Sequence, residues 1–285
     1  MSISIVIPAK NESISLRTLV PEILSRHPDS EVIVVNDGST DDTASIAEAS
    51  GARVVSHPYS KGNGAAIKSG ARAAKGDIIV FMDADGQHRP EDIQLLLDRL
   101  EDNIDMVVGS RDASGQASFA RRFANGLYNR LASWMTNQKV EDLTSGFRAV
   151  RREKFIEFLH LLPNGFSYPT TITMSFFRAG YSVVYQAIAV QSRKEGTESH
   201  INLTRDGIRF FLIIFKVGTL YSPLTLFLPV SLMFFGLGSI YYGHTYLTDG
   251  RFTNMGALLF ITSVLVFLIG LVSEQITALM YKDDG

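Results

Sequence analysis

Two long stretches near the C-terminus lack charged residues, and they limit the folds open to this chain more than any other feature. Neither residues 217–248 nor residues 252–273 contain Asp, Glu, Lys or Arg. A helix of about 20 apolar residues crosses the hydrocarbon core of a bilayer, so each stretch is long enough to span a membrane. The alternative is a pair of buried helices in a soluble core, where two adjacent charge-free runs of this length are uncommon.

The chain before about residue 200 has a different pattern, in which short apolar runs alternate with stretches of helical period. The predicted strands cover residues 2–7, 32–35, 53–56, 78–82 and 106–109. The predicted helices cover residues 13–25, 41–49, 64–74 and 90–100. Strand–helix alternation at this spacing predicts an α/β domain with a mostly parallel, Rossmann-like sheet that helices cover on both faces.

The distribution of basic residues predicts how the chain is arranged at a membrane. The basic residues that flank the two apolar stretches are Arg193, Lys194, Arg205, Arg209, Lys216 and Lys282. The loop between the stretches holds Arg251 beside Asp249. The first ten residues read as a strand and not as a signal peptide. A multi-pass protein of the cytoplasmic membrane follows, with the large domain and both termini in the cytoplasm.

These patterns divide the chain into three parts. We predict an α/β domain over residues 1–200 and two transmembrane helices with a short tail over residues 220–285. Residues 201–219 mix basic and apolar side chains, which is typical of an amphipathic helix lying in the membrane interface. A plain extension of the first span is the alternative for that segment.

Composition removes several classes of function. The formal net charge of −2 gives no general basic signature, so no nucleic-acid partner is expected. The chain contains no cysteine, which excludes disulfides, zinc-thiolate sites and thiol nucleophiles. The sequence leaves the oligomeric state open, a homo-oligomer included.

An acidic motif, Asp83-Ala84-Asp85-Gly86-Gln87-His88, directly follows the fourth predicted strand. If the chain stays extended there, the side chains of Asp83, Asp85 and Gln87 point to one side. Two carboxylates and an amide oxygen form the kind of hard-oxygen site that Mg²⁺ or Mn²⁺ prefers. A solvated acidic turn is the alternative for such a motif alone, and its position at the end of a buried strand favours the metal site.

Polar residues also follow other predicted strands. The first strand ends in Pro8-Ala9-Lys10-Asn11-Glu12, and the second in Asn36-Asp37-Gly38-Ser39. Open α/β sheets bind ligands at the carboxyl ends of their strands, where Asp37 can accept a hydrogen bond from a nucleobase N–H. A helix cap and nothing more is the alternative for the second turn. The run Lys61-Gly62-Asn63-Gly64 brings a cation toward the same edge but lacks the P-loop spacing.

Six motifs occur in order along the chain, namely Pro8-Ala9-Lys10-Asn11-Glu12, Asp37-Gly38-Ser39, Lys61-Gly62-Asn63-Gly64, Asp83-Ala84-Asp85-Gly86-Gln87-His88, Gly109-Ser110-Arg111 and Asp142-Leu143-Thr144-Ser145-Gly146-Phe147-Arg148. Together they resemble the family 2 glycosyltransferases of GT-A fold, in particular the dolichyl-phosphate-mannose-synthase-like branch that uses polyprenyl phosphates. The resemblance covers about residues 2–200, and the two apolar stretches suit the membrane-anchored members. It implies a metal-dependent, inverting transfer of a sugar from a nucleotide-sugar to dolichyl or undecaprenyl phosphate, with the bilayer as a further partner.

The resemblance also implies roles for individual residues. The nucleotide-sugar would contact Pro8, Ala9, Asn11, Glu12, Asp37, Lys61, Asp83 and Ala84, and the metal, Mg²⁺ or Mn²⁺, would bind Asp83, Asp85 and Gln87. The acceptor phosphate would contact Arg111, Arg121, Arg122, Asn125 and Arg193. Arginine suits this role because its planar fork binds phosphate oxygens bidentately. A solvated basic helix face is the alternative for Arg121 and Arg122. The catalytic residues would be Asp85, Asp142 and Arg111, with Asp142 as a base or as an orienting group.

The chain departs from the family pattern at three places. Asn125 stands where members often carry serine, and the acceptor loop 193–200 is longer by a residue, with His200 in the place of a lysine. The segment 165–171 lacks the acidic residue that often follows Gly-Phe. These departures bear on the identity of the sugar more than on the class of reaction.

Two other functions remain open from the sequence. One is a membrane glycosyltransferase whose lipid or glycan acceptor carries no phosphate, and the other is a non-catalytic scaffold that binds nucleotide-sugars. A processive polysaccharide synthase fits poorly, because the single tryptophan, Trp134, does not lie in a Gln-x-x-Arg-Trp motif.

Overall fold

The structure is a computed structural model that describes residues 1–111, 119–165, 167–189, 215, 218–219 and 221–281, with side chains omitted at 119–125 and 249. The chain divides into two units, Met1–Asn202 and Leu203–Gly285. The predicted interfacial helix over 201–219 lies almost entirely outside the described residues. The two units therefore comprise an α/β part and a pair of apolar helices.

The first unit alternates strands and helices along the chain. Its strands are β1 (Ile3–Ala9), β2 (Glu31–Asn36), β3 (Arg53–Ser56), β4 (Ile78–Phe81), β5 (Met106–Arg111), β6 (Arg148–Arg151) and β7 (Val183–Ile188). Its helices are α1 (Ser13–Arg26), α2 (Thr43–Ala49), α3 (Asn63–Ala73), α4 (Asp92–Arg99), α5 (Phe119–Thr136), α6 (Arg152–Glu157) and α7 (Tyr168–Arg178). Each of the five predicted strands and four predicted helices is present, with bounds that differ by a few residues.

The strands form one seven-stranded sheet in the order β3-β2-β1-β4-β6-β5-β7. Strand β1 pairs in parallel with β2 and β4, and β5 pairs in parallel with β7. Strand β6 runs antiparallel to both β4 and β5, and its Arg148 lies opposite Phe81 and Val108. The predicted α/β, mostly parallel sheet is confirmed, and one reversed strand is added inside it.

The central strands are continuous apolar runs in the sequence because they are buried in the core. Every residue of β4 is buried, as are Ile5 and Ile7 of β1 and Val34 of β2. Strands of a parallel sheet are covered on both faces, so both sets of alternating side chains are apolar. Helix α3 approaches this sheet closely, since a Cβ at Gly70 would lie 2.2 Å from Val6 Cγ1. Glycine is therefore required at that contact.

The second unit contains helices α8 (Pro223–Asp249) and α9 (Asn254–Met280). The segments Pro223–Thr248 and Asn254–Met280 have mean hydropathies of 1.8 and 2.6, and both are long and apolar enough to cross a membrane. Large apolar side chains such as Leu232 and Leu265 are exposed along them. This exposure disagrees with the alternative of two helices buried in a soluble core.

Small residues line the contact between α8 and α9. On α9 the buried residues recur at every seventh position, as Gly256, Ser263, Gly270 and Thr277. Ser231 of α8 and Ser263 each donate a hydrogen bond to the other's backbone carbonyl, both at 2.9 Å. Small side chains let two backbones approach, and cross-helix hydrogen bonds stabilise such pairs in an apolar surrounding.

Candidate active site

The carboxyl ends of β1, β2, β4 and β5 lie at one edge of the sheet, because these strands run in the same direction. Their last residues are Ala9, Asn36, Phe81 and Arg111. The reversed strand β6 starts at this edge, so the segment before it, residues 142–147, is brought there as well. The motifs that follow these strands therefore meet where open α/β sheets bind ligands.

The segment after β1 is held against the turn after β2. Asn11 has a φ of 56°, in the left-handed region that asparagine tolerates better than most residues. Its side-chain carbonyl accepts the Thr40 N–H at 2.9 Å. Glu12 donates its own N–H to Thr43 Oγ1 at 2.9 Å. The structure thus places at this edge the four residues predicted to contact the nucleotide there, Pro8, Ala9, Asn11 and Glu12.

Asp37, the first residue after β2, is buried and receives four hydrogen bonds. His57 Nδ1 lies 2.7 Å from Oδ1, and the Ser60 hydroxyl donates to Oδ2 at 2.8 Å. The backbone N–H groups of Lys61 and Gly62 donate to Oδ1 at 2.8 Å and to Oδ2 at 2.9 Å. Burial alone would raise the Asp37 pKa, but these donors, led by His57, lower it to about 2.

These contacts define the role that Asp37 has in the described residues. A carboxylate offers about four lone-pair positions, and all of them have a donor from the protein. A nucleobase N–H would have to replace one of these donors or share its acceptor. The predicted contact between Asp37 and the nucleotide stays a prediction, and the structure adds a second role, in which Asp37 holds the segment 57–62.

Lys61 lies on that segment, at the surface of the same edge. Its Nζ is 5.7 Å from the centroid of the Tyr59 ring, within the range of a cation–π contact. The turn after β2 packs tightly under the segment, since a Cβ at Gly38 would lie 2.5 Å from the Ser60 N. Gly62 has a φ of 102°, which favours glycine. These two glycines let the Lys61 segment close over the Asp37 carboxylate.

The acidic motif after β4 forms a turn and does not remain extended. Gly86 has a φ of 72°, and Asp85 Oδ1 accepts the Gln87 N–H at 3.1 Å. Ala84 is buried, and Asp83 is half-buried. The condition of an extended chain over residues 83–87 is not met, because Gly86 permits a turn that the Asp85 carboxylate stabilises. Convergence of the three predicted metal ligands would have to come from the turn itself.

Asp83 lies beside Gly146 and Tyr168. A Cβ at Gly146 would lie 3.1 Å from Asp83 Oδ2 and 3.2 Å from the Tyr168 hydroxyl oxygen. The Tyr168 hydroxyl donates to the Gly146 carbonyl at 3.3 Å. Burial raises the Tyr168 pKa, and the negative charge of Asp83 adds to this effect. A side chain at position 146 would thus fill the space next to the Asp83 carboxylate.

Arg111 and Asp142 form a two-pronged ion pair. Arg111 Nε donates to Asp142 Oδ2 at 2.7 Å, and Nη2 donates to Oδ1 at 3.0 Å. Nη2 also donates to Thr144 Oγ1 at 2.6 Å. Burial opposes charge on both groups. Nevertheless, the pairing with Arg111 holds the Asp142 pKa below its ordinary value. The pairing with Asp142 and the charge of Asp83 raise the Arg111 pKa. Among the described residues, the Arg111 Nη1 has no hydrogen-bond acceptor.

Arg148 is fully buried at the start of β6. Nη1 donates to the Pro169 carbonyl and to Thr173 Oγ1, both at 3.3 Å, and Nη2 donates to the Ser145 carbonyl. Its guanidinium also lies 5.8 Å from the centroid of the Tyr168 ring. Burial lowers the Arg148 pKa. Arg148 therefore joins the segment 142–147 to the start of α7 through neutral oxygens.

His88 ends the acidic motif and packs on the same segment. Its ring is stacked on Phe147, with centroids 4.8 Å apart and an interplanar angle of 18°. Burial lowers the His88 pKa to about 4, against the opposing effect of Asp85. Nδ1 is buried and has no hydrogen-bond partner in the part of the chain that the structure describes. The His88 ring is thus neutral at neutral pH. It packs against Phe147 of the 142–147 segment.

The carboxylates at this edge are compatible with a divalent metal that takes part of its shell from other ligands. Within the described part of the chain, no group of three or more His, Asp and Glu side chains is arranged to hold a metal ion. Mg²⁺ and similar ions commonly take one or two carboxylates and complete their shell with phosphate oxygens and water. Asp83 and Asp85 supply two carboxylates, and the space beside Asp83 is kept by a glycine. The residues therefore fit a divalent metal that completes its shell with oxygens from another ligand and from water.

The remaining predicted acceptor residues are described in part or not at all. Arg121, Arg122 and Asn125 lie on α5, of which only the backbone is described at these positions. Arg193 and the rest of the acceptor loop lie outside the described residues. Their contacts with a phosphate stay predictions.

Sequence reasoning missed three residues at this edge, His57, Gly146 and Arg148. His57 directly follows a predicted strand, which is the criterion that selected Asp37. Arg148 is part of the sixth motif, but Arg151 and Arg152 follow it closely, so no local pattern marked it as buried. Gly146 had no signal of its own beyond its place in the sixth motif.

The fold and the residues gathered at this edge place the chain in a known class. The family model described as Glycosyl transferase family 2 matches residues 4–159, and the model described as GtrB C-terminal hairpin matches residues 222–279. The chain belongs to glycosyltransferase family 2. The resemblance inferred from the six motifs is confirmed.

The chain is also similar to named relatives and to solved structures. The polyprenol monophosphomannose synthase of Mycolicibacterium smegmatis is 31% identical over 67% of this chain and 78% of its own. An undecaprenyl-phosphate 4-deoxy-4-formamido-L-arabinose transferase of Pseudomonas fluorescens is 28% identical over 99% of this chain and 86% of its own. The glucosyl-3-phosphoglycerate synthase of Mycobacterium tuberculosis, crystallised with Mn²⁺, UDP-glucose and phosphoglyceric acid, has a TM-score of 0.61 and 26% identity, covering 76% of this chain and 78% of that one.

Proposed function

We propose that this protein transfers a sugar from a nucleotide-sugar to a polyprenyl phosphate, in a reaction that uses Mg²⁺ or Mn²⁺. The observation that carries the proposal is the Arg111 guanidinium, which Asp142 anchors at the ligand-binding edge and whose pKa the charge of Asp83 also raises. An anchored arginine at the same edge as Asp83 and Asp85 can bring an anionic acceptor close to an anionic donor. The names of two relatives, a polyprenol monophosphomannose synthase and an undecaprenyl-phosphate 4-deoxy-4-formamido-L-arabinose transferase, support the same acceptor class.

The donor side of the site rests on the edge formed by β1, β2 and β4. The proposed nucleotide contacts are Pro8, Ala9, Asn11, Glu12, Asp37, Lys61, Asp83 and Ala84. Asp83 and Asp85, with Gln87, would hold the metal, which neutralises charge on the departing diphosphate when it is bound. The Mn²⁺ and UDP-glucose in the mycobacterial structure support this use of the edge.

The acceptor side rests on Arg111. A phosphate monoester has its second pKa near 6, so a polyprenyl phosphate is largely dianionic at neutral pH and needs no strong base. Asp142 has both carboxylate oxygens engaged and a lowered pKa, which suits a positioning residue. Arg121, Arg122, Asn125 and Arg193 are the further proposed phosphate contacts.

The proposed step is a direct displacement with inversion at the anomeric carbon. A phosphate oxygen of the acceptor forms the new bond to that carbon as the bond to the donor's diphosphate oxygen breaks. The electron pair leaves with the nucleoside diphosphate, and the product is a sugar linked to polyprenyl phosphate. Arg111 holds the attacking phosphate, and the segment 142–147 holds Arg111.

The proposed membrane placement rests on the two apolar helices of the second unit and on the basic residues that flank them. The helices α8 and α9 would anchor the chain, with the catalytic domain and both termini in the cytoplasm. The proposed division is a catalytic domain over 1–200, an interfacial helix over 201–219 and a transmembrane pair over 220–285. The matched C-terminal hairpin supports the last of these.

Radiolabelled nucleotide-sugars test the proposal. The purified full chain with Mn²⁺ should convert label to a chloroform-soluble form when undecaprenyl phosphate is present, and Asp85→Asn should abolish the conversion while keeping the melting temperature. Label transfer only to a lipid without phosphate would favour the other acceptor class. Absence of both transfer and nucleoside diphosphate release, across donors that bind, would favour a scaffold.

A further inference from the structure

A buried chain of hydrogen bonds runs from the turn after β2 to helix α3. Asp37 Oδ1 lies 2.7 Å from His57 Nδ1, and His57 Nε2 lies 2.8 Å from Ser69 Oγ. Asp37 and His57 are 4% and 8% exposed. Because an ionised carboxylate only accepts hydrogen bonds, Nδ1 carries the proton and donates to Asp37. In the neutral ring, Nε2 then accepts from the Ser69 hydroxyl.

The Asp37 carboxylate is also the anchor of the segment that carries Lys61. It accepts the backbone N–H groups of Lys61 and Gly62 and the hydroxyl of Ser60. The same segment receives a second tie, since Lys10 Nζ donates to Ser60 Oγ at 3.1 Å. The orientation of Asp37 thus decides where the Lys61 backbone lies.

His57 is well placed to fix that orientation. Its backbone N–H donates to the Asn36 carbonyl at 2.9 Å, so β2 and β3 hold the residue in place. Its ring then bridges the Asp37 carboxylate, at the end of β2, and Ser69 of α3. The hydrogen bond from His57 Nδ1 is the contact that fixes the orientation of Asp37, whereas Ser69 contacts only the far side of the ring.

We propose that His57 is a positioning residue for nucleotide binding, acting through Asp37 on the backbone of Lys61 and Gly62. The proposal rests on the proposed use of this edge for the nucleotide-sugar. His57 itself touches no substrate. Its effect falls on the donor and not on the acceptor, because its contacts lie at the β2 and β3 side of the sheet, whereas Arg111 lies at the end of β5.

Three substitutions separate the two ends of the ring. In His57→Asn the side-chain NH₂ replaces the Nδ1 donor and can keep the bond to Asp37. In His57→Gln the amide reaches toward Ser69 and the donor to Asp37 is lost. Ser69→Ala removes the far end alone and is the matched control.

The measurements are the KM for the nucleotide-sugar, the KM for undecaprenyl phosphate, kcat, and calorimetric binding of UDP or GDP with Mn²⁺. His57→Gln should raise the donor KM and the nucleotide Kd about tenfold or more, the effect of losing a hydrogen bond to a charged group. The acceptor KM and kcat should stay within about threefold, and His57→Asn and Ser69→Ala should stay close to the wild type.

Several outcomes would overturn the inference. They are an unchanged nucleotide Kd in His57→Gln, an equal rise in both KM values, or a failure of His57→Asn to restore binding. The last comparison remains decisive if His57→Gln does not fold. Nucleotide binding needs no acceptor, so a wild type that binds UDP or GDP without sugar transfer would refute the proposed function and leave the role of His57 testable. Binding of no nucleoside diphosphate, tested with Mn²⁺ over all five common bases, would refute both.

Discussion

Asp142 has two roles open to it by chemistry, a general base or a group that orients Arg111, and its contacts favour the second. Both carboxylate oxygens accept hydrogen bonds from Arg111, and Thr144 donates its N–H and hydroxyl to Oδ1. A base needs a free lone pair and a pKa near the working pH. Asp142 does not meet the second condition, because its pKa is lowered.

The substitution Asp142→Asn tests this assignment. The amide keeps the shape but weakens the fork that holds Arg111, so we expect the KM for polyprenyl phosphate to rise about tenfold or more. The donor KM should change little. Steady-state kinetics with both substrates varied measure the difference, and Glu141→Gln, at the exposed neighbouring position, is the matched control. A loss of about a hundredfold in kcat with unchanged acceptor KM would instead identify a base.

The candidate site residues were predictable from sequence where the residues that act together lie within one short motif. The acidic motif after β4 was found from Asp83 and Asp85, yet the turn at Gly86 was not foreseen. Glycine can adopt either an extended conformation or a positive φ, and the hydrophobic periodicity of the sequence does not show which one it adopts. His57 was missed because its partners, Asp37 and Ser69, are 20 and 12 residues away in the chain. Such contacts follow from sheet pairing and not from local pattern.

At the scale of elements, the reversed strand β6 shapes the site. Its antiparallel pairing with β4 and β5 places residues 142–147 between Asp83 and Arg111. The strand was absent from the sequence prediction, because its four residues begin and end with arginine and give no apolar run. Strands β1 to β5 were predictable from their runs of Ile and Val, a signal that β6 lacks.

The α8–α9 contact allows a prediction about helix packing. A Cβ at Gly270 would lie 2.7 Å from Phe227 Cβ, so Gly270→Ala should destabilise the pair by about 1–3 kcal/mol, the usual cost of overpacking. Gly236→Ala is the matched control, since a Cβ there would meet no described atom within 4 Å. Both substitutions gain the same helix propensity.

Thermal melting of the full chain in detergent, at several detergent ratios, measures the difference. Gly270→Ala should melt at a lower temperature than Gly236→Ala. Equal melting temperatures would show that the two helices do not approach each other at this glycine. The same comparison tests the small-residue contact without reference to activity.

At the scale of the whole molecule, the order of motifs is more informative than any one of them. Six short motifs that meet at one edge of a sheet, followed by two charge-free helices, are sufficient to indicate the family. The same pattern does not indicate how the sugar or the base is chosen. Contacts between residues far apart in sequence, such as those of the segments 57–62 and 142–147, are likewise not visible in the motifs.

The most direct test of sugar transfer to a polyprenyl phosphate is mass spectrometry of the lipid and nucleotide products. The full chain with Mn²⁺, a nucleotide-sugar and undecaprenyl phosphate should give a lipid heavier by one sugar residue that keeps a single phosphate, together with an equal amount of nucleoside diphosphate. A lipid that gains a second phosphate, with nucleoside monophosphate released, would contradict direct displacement. So would an unchanged lipid in the presence of every donor that the protein binds.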